Sequence, residues 1–67
     1  MFFEVNIVVP AQGEYLFEAV AIEGNNVYHY NRKFYDSRIA GEFVKVMQAD
    51  TKAGNPLDSK SWIKFSH

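Results

Sequence analysis

From Phe2 to Val9 the side chains alternate: Phe3, Val5, Ile7 and Val9 fall on one side of an extended chain, Phe2, Glu4, Asn6 and Val8 on the other. A period of two belongs to a β-strand. The stretch from Glu14 to Glu23 repeats the pattern. As a helix it would carry apolar groups all round the cylinder, with no polar face for water. As a strand it sets Tyr15, Phe17, Ala19 and Ala21 against Leu16, Glu18, Val20 and Ile22. Between the two runs, Pro10-Ala11-Gln12-Gly13 reads as a turn, because proline donates no ladder hydrogen bond and glycine tolerates positive φ. The first third of the chain is thereby committed to sheet.

Gly24-Asn25-Asn26 supplies residues that accept the left-handed geometry of a tight hairpin, and Val27 to about Lys33 follows as a third strand. The period then changes. Asp36 or Ser37 can cap a helix. On a helical wheel Ile39, Ala40, Phe43, Val44, Val46 and Met47 share one arc, opposite Arg38, Gly41, Glu42, Lys45, Gln48 and Lys52. Gly54 fits just past the helix end, with Asn55-Pro56 as the stop. Thr51 to Lys60 is the longest loop, and Ser61 to Phe65 is a short last strand with Ile63 and Phe65 on one side and Trp62 and Lys64 on the other. The order is β-β-β-α-β: an α+β domain whose small single-layer sheet of about four strands carries one amphipathic helix on one face. If the first three strands form a meander, the helix carries the chain back over the sheet. The fourth strand is then expected parallel to the first and beside it.

The chain is expected to form one domain over residues 1–67. A domain this small buries only about 60% of the surface its unfolded chain exposes. There is no cysteine to compensate, which excludes disulfides, thiol chemistry and the common structural zinc sites. Eleven aromatic rings are too many for so small a core that must also house the aliphatics, so several are expected at the surface or against another chain. With one helix on one face, the other face is left with Phe2, Val8, Leu16, Val20, Ile22 and Trp62, a patch too apolar to leave in water. No basic lead-in precedes the apolar start, which stops at Pro10; this fits neither a secretory signal nor a membrane span of about 20 residues. A cytoplasmic protein is expected.

Charge is segregated. No lysine or arginine precedes Arg32, and Glu4, Glu14, Glu18 and Glu23 give the first 31 residues a formal −4. Seven cations against Asp36, Glu42, Asp50 and Asp58 give the remainder +3, and the whole chain −1. The switch falls in Tyr28-His29-Tyr30-Asn31-Arg32-Lys33-Phe34-Tyr35-Asp36-Ser37-Arg38, where cations and rings interleave.

Chemistry elsewhere is sparse. Neither His29 nor the terminal His67 accompanies a serine in a nucleophile arrangement, and two histidines so far apart have no metal-ligand spacing. The segment Asp50 to Asp58 imitates a calcium loop but puts Lys52 where an oxygen ligand belongs and Ser61 where the closing glutamate should be. Glu18 with Glu14 or Glu4 could make a carboxylate pair, yet no segment is left to build a pocket around it. The glycines are scattered singly, so no loop cradles a phosphate. No catalytic residue, metal or cofactor is expected, and the protein is read as no enzyme.

The aromatic-basic segment then suits one of two partners. Rings that stack on bases and cations that track phosphates hold single-stranded nucleic acid. Tyr, Trp and Arg are equally the side chains of protein-interface hot spots. The near-neutral balance and the uncovered sheet face favour protein. The expectation is a binding module, an inhibitor or adaptor that docks on a larger protein or pairs with its own copy, through Tyr28, Tyr30, Arg32, Lys33, Tyr35, Arg38 and Trp62. Phage and mobile-element proteins that block host machinery include many chains of this kind. Nucleic acid is the alternative partner, and no membrane is expected.

Overall fold

The computed structural model describes residues 1–9, 13 and 15–65. The turn expected at Pro10-Ala11-Gln12, Glu14 and the terminal His67 lie outside the described residues. Strands β1 (Phe2–Val8), β2 (Leu16–Glu23) and β3 (Asn26–Tyr30) form an antiparallel meander, followed by helix α1 (Ser37–Lys52) and strand β4 (Trp62–Lys64). The sheet order is β1-β2-β3-β4. One helix on one face of a four-stranded sheet is the expected α+β architecture.

Local signals work as their chemistry requires. Gly24, at φ 60°, takes the first central position of the two-residue turn between Glu23 and Asn26, the position a type II′ hairpin reserves for positive φ. Asp36 caps α1: its carboxylate accepts from the Arg38 backbone N–H at 2.8 Å. At the other end Gly54 (φ 98°) donates to the Thr51 carbonyl and Asn55 to that of Asp50. That pair of bonds is a Schellman motif, which satisfies the last carbonyls of the helix.

The core lies between α1 and the sheet. Directly paired residues share a face, so the register Phe3↔Ala21, Val5↔Ala19 and Ala21↔Tyr28 fixes the inner side. Phe3, Ala19, Ala21, Val44 and Trp62 form the buried cluster, with Val5, Tyr28, Tyr30, Phe34, Phe43, Met47 and Leu57 packed around it. Ala19, Ala21 and Ala40 have no exposed surface, so small side chains on both elements set how closely α1 approaches β2.

Two expectations are corrected. β4 lies antiparallel beside β3, with Tyr30↔Trp62 and Tyr28↔Lys64, at the opposite edge from β1. The reason is cover. α1 packs mainly over β1 and β2 and reaches β3 through Phe43, which lies against Tyr30. The loop from Ala53 to Ser61 climbs back over β3 and lays Leu57 into the cluster before β4 starts. Asp58 then turns the chain, accepting from the backbone of Lys60, Ser61 and Trp62 and from the Ser61 hydroxyl. The second correction concerns the helix arc. Ala40 and Val44 are buried, but Ile39 and Val46 are each 58% exposed. They stand on the Phe43 flank, which overhangs a fourth strand of only three residues.

Candidate protein-docking surface

The third strand does not run to Lys33 as its composition suggests. It pairs regularly with β2 through Val20↔His29, then leaves the ladder and rejoins it at an isolated bridge, Phe17↔Phe34. At that bridge each residue donates its N–H to the other's carbonyl, both at 2.8 Å. Continuing the earlier register would set residue 32 opposite Phe17, so two extra residues are accommodated between Tyr30 and Phe34. The result is a special bulge, four residues facing two, a device that bends a strand and re-aims its side chains. Asn31 anchors it on the β4 side, donating its backbone N–H to the Ser61 carbonyl (2.8 Å) and its side-chain amide to that of Lys60 (3.4 Å).

Arg32 and Lys33 are exposed on this bulge, Tyr35 is 80% exposed just after it, and Arg38 is exposed in the first turn of α1. Lys33 turns back toward the sheet: its Nζ lies 3.5 Å from Glu18 Oε2. Glu18 is well covered, with 14% of its side chain exposed. The same carboxylate oxygen is 3.5 Å from His29 Nδ1, and among the described residues that buried nitrogen has no hydrogen-bond partner. The His29 ring is tilted against Phe65, centroids 4.6 Å apart.

Glu18 and His29 belong to the outer sheet face, the one α1 does not cover. The register places Phe2, Glu4, Asn6 and Val8 of β1, Leu16, Val20 and Ile22 of β2, Val27 of β3 and Ile63 of β4 on the same face. Lys33 reaches over this face to Glu18 and Phe65 lies against His29, while α1 lies on the other side of the sheet. Val20 is nonetheless buried, being flanked directly by Glu4 and His29, while Phe2 and Ile63 stay exposed.

Of the sequence-derived candidates, Arg32, Lys33, Tyr35 and Arg38 are exposed along the segment from the bulge to the first turn of α1. Tyr28, Tyr30 and Trp62 turn to the inner side. Tyr30 meets Phe43 at 4.5 Å, Trp62 at 5.2 Å and Phe34 at 6.1 Å between ring centroids. Trp62, expected on the uncovered face at the sheet edge, is corrected to a core residue 4% exposed, its ring edge-on to Phe3. Its strand is an edge strand, but its parity matches Tyr30, and that side belongs to the helix. Glu18 and His29 were not singled out for binding, and the bulge was not foreseen. The signal available for it was the run Asn31-Arg32-Lys33, three polar residues where alternation should have continued.

Among the described residues no group of three or more His, Asp or Glu could hold a metal ion, and no helix is long and apolar enough to cross a membrane. Comparison of the chain with protein-family models, with curated proteins and with solved structures gives no match.

Proposed function

We propose that this domain is a non-enzymatic protein-binding module, a small cytoplasmic inhibitor or adaptor that docks on a larger protein. The contact surface is the positive corner made by Arg32, Lys33, Tyr35 and Arg38, continued onto the outer sheet face through Leu16 and Val8. The observation that carries this reading is the bulge. It sets Arg32 and Lys33 at the exposed surface and leads into a free tyrosine ring at the border of an apolar sheet face that α1 does not cover. Arginine and tyrosine beside apolar area are the ingredients of an interface hot spot.

Protein is favoured over single-stranded nucleic acid because base stacking needs free ring faces. Of Tyr28, Tyr30, Phe34 and Tyr35, the first three pack against the core cluster and only Tyr35 offers a free ring. Affinity capture from the host, with and without nuclease, tests the reading. A discrete protein retained after nuclease, and lost with the triple variant Arg32→Ala, Tyr35→Ala, Arg38→Ala, supports it. Retention of nucleic acid alone contradicts it.

A further inference from the structure

β1 is an edge strand seven residues long, paired with β2 on one side only. Its register with β2 is continuous, so no bulge twists it away, and it contains neither proline nor lysine. Natural edge strands normally carry such protection against pairing with another chain. Here a single charge, Glu4, is the only such device on the strand, and the residue pattern is symmetric. About Val5 the segment Met1 to Val9 is a palindrome in chemical character: Met1 mirrors Val9, Phe2 mirrors Val8, Phe3 mirrors Ile7, and Glu4 mirrors Asn6.

We propose that β1 is the dimerisation strand of this protein, pairing antiparallel with β1 of a second copy about a two-fold axis through Val5. In that register Phe2 stands opposite the partner's Val8 on the outer face, and Phe3 opposite the partner's Ile7 on the inner face. Met1 adjoins the partner's Val9 just beyond the ladder. Four of the side chains matched in this way are large, apolar and stranded in water in the single chain: Met1 is 49%, Phe2 61%, Ile7 63% and Val9 65% exposed. Charge agrees with the register. Glu4 meets the partner's Asn6, whose amide can donate to it, and the two Glu4 carboxylates are kept apart. Next to Asn6 within the sheet stands Glu18, whose charge is already countered by Lys33.

The neighbouring registers are worse. Sliding by two residues one way sets Glu4 against Glu4, a like-charge pair that opposes association. Sliding the other way leaves Phe2 and Phe3 without strand partners. Sliding by one residue sends every side chain to the wrong face. The product is a continuous eight-stranded sheet with a common outer face and a positive corner on each outer half, which would give a target two docking points.

The chain has no cysteine, so engineered thiols report the register without background. Directly opposed Cβ atoms lie about 4.5–5.5 Å apart and diagonal ones about 7–8 Å apart; only the former approach disulfide distance. The unmodified protein is expected to scatter light as twice 7.7 kDa at about 100 μM, where any pair with a Kd of ~10 μM or tighter is largely assembled. A mixture of Glu4→Cys and Asn6→Cys chains is expected to cross-link on oxidation, and neither variant alone. A monomer at that concentration overturns the proposal and leaves the edge to a strand of a different protein. A dimer whose mixed thiols do not cross-link overturns it as well, in favour of another interface.

Discussion

Phe34 exchanges both backbone hydrogen bonds with Phe17, two residues out of step with the Val20–His29 register that precedes it. This one offset decides where the positive charge of the molecule goes. Had the ladder run on evenly, Arg32 would have taken the position opposite Phe17, on the inner side. The bulge keeps a phenylalanine there, against Tyr30 and Phe43, and expels the cations to the rim. A variant lacking Arg32 and Lys33 brings Phe34 into the continuous register. It is expected to keep the circular dichroism spectrum of the parent and to lose capture of the protein partner. An unfolded deletion variant would show that the bulge is needed for the fold itself.

Trp62 is the largest contributor to the small core. Trp62→Ala is expected to cost about 3–5 kcal/mol, a large share of the about 3–10 kcal/mol that 67 residues hold at roughly 0.05–0.15 kcal/mol per residue. Urea titration should find the midpoint of the variant far below that of the parent. In the parent, the buried indole should emit at short wavelength and shift to the red on unfolding.

Ala19 has no exposed surface and belongs to the cluster between sheet and helix. Ala19→Leu is expected to destabilise by about 1–3 kcal/mol, because the added carbons must push α1 off β2. Val46→Ala on the exposed helix flank should change stability by less than about 0.5 kcal/mol. Chemical denaturation of the two variants side by side tests the inner and overhanging flanks.

The Asp36 cap is local and separable. Asp36→Ala should cost about 1 kcal/mol and Asp36→Asn much less, since asparagine can still accept from the Arg38 N–H. The denaturation midpoints of the two variants check the ordering.

Glu18 ties the bulge to the sheet through Lys33. The lysine is too exposed for the pair to be strong, so Glu18→Gln is expected to cost at most about 1 kcal/mol. That loss should shrink as salt approaches ~1 M, where the screening length falls to about 3 Å. Urea titrations at low and high salt provide the comparison.

These relationships differ in how far the sequence reveals them. The faces of β1 and β2 follow from alternation alone, and the Asp36 cap and Gly54 stop from chemistry within a few residues of each site. The outer face was legible for the same reason, since Phe2, Val8, Leu16, Val20 and Ile22 keep their parity. Trp62 was not. Its side of the sheet depends on which strand β4 joins, and that is decided by Leu57 covering β3 from a loop that carries no periodic signal. Tyr28 and Tyr30 were ambiguous because an aromatic strand reads alike from either face. Only the hairpin register through Gly24 turns them inward, leaving Arg32, Lys33, Tyr35 and Arg38 as the exposed part of the segment.

The claim that the positive corner and the adjoining sheet face form the docking surface is tested most directly by amide chemical-shift mapping of the isotope-labelled domain against its captured protein partner. The account predicts perturbation at Arg32 to Arg38, Leu16 and Val8, with Gln48 to Pro56 unchanged. Perturbation centred on the cleft of about 510 Å3 that Met1 and Phe2 form with Gln48, Lys52 and Pro56, with Arg32 to Arg38 silent, would contradict it.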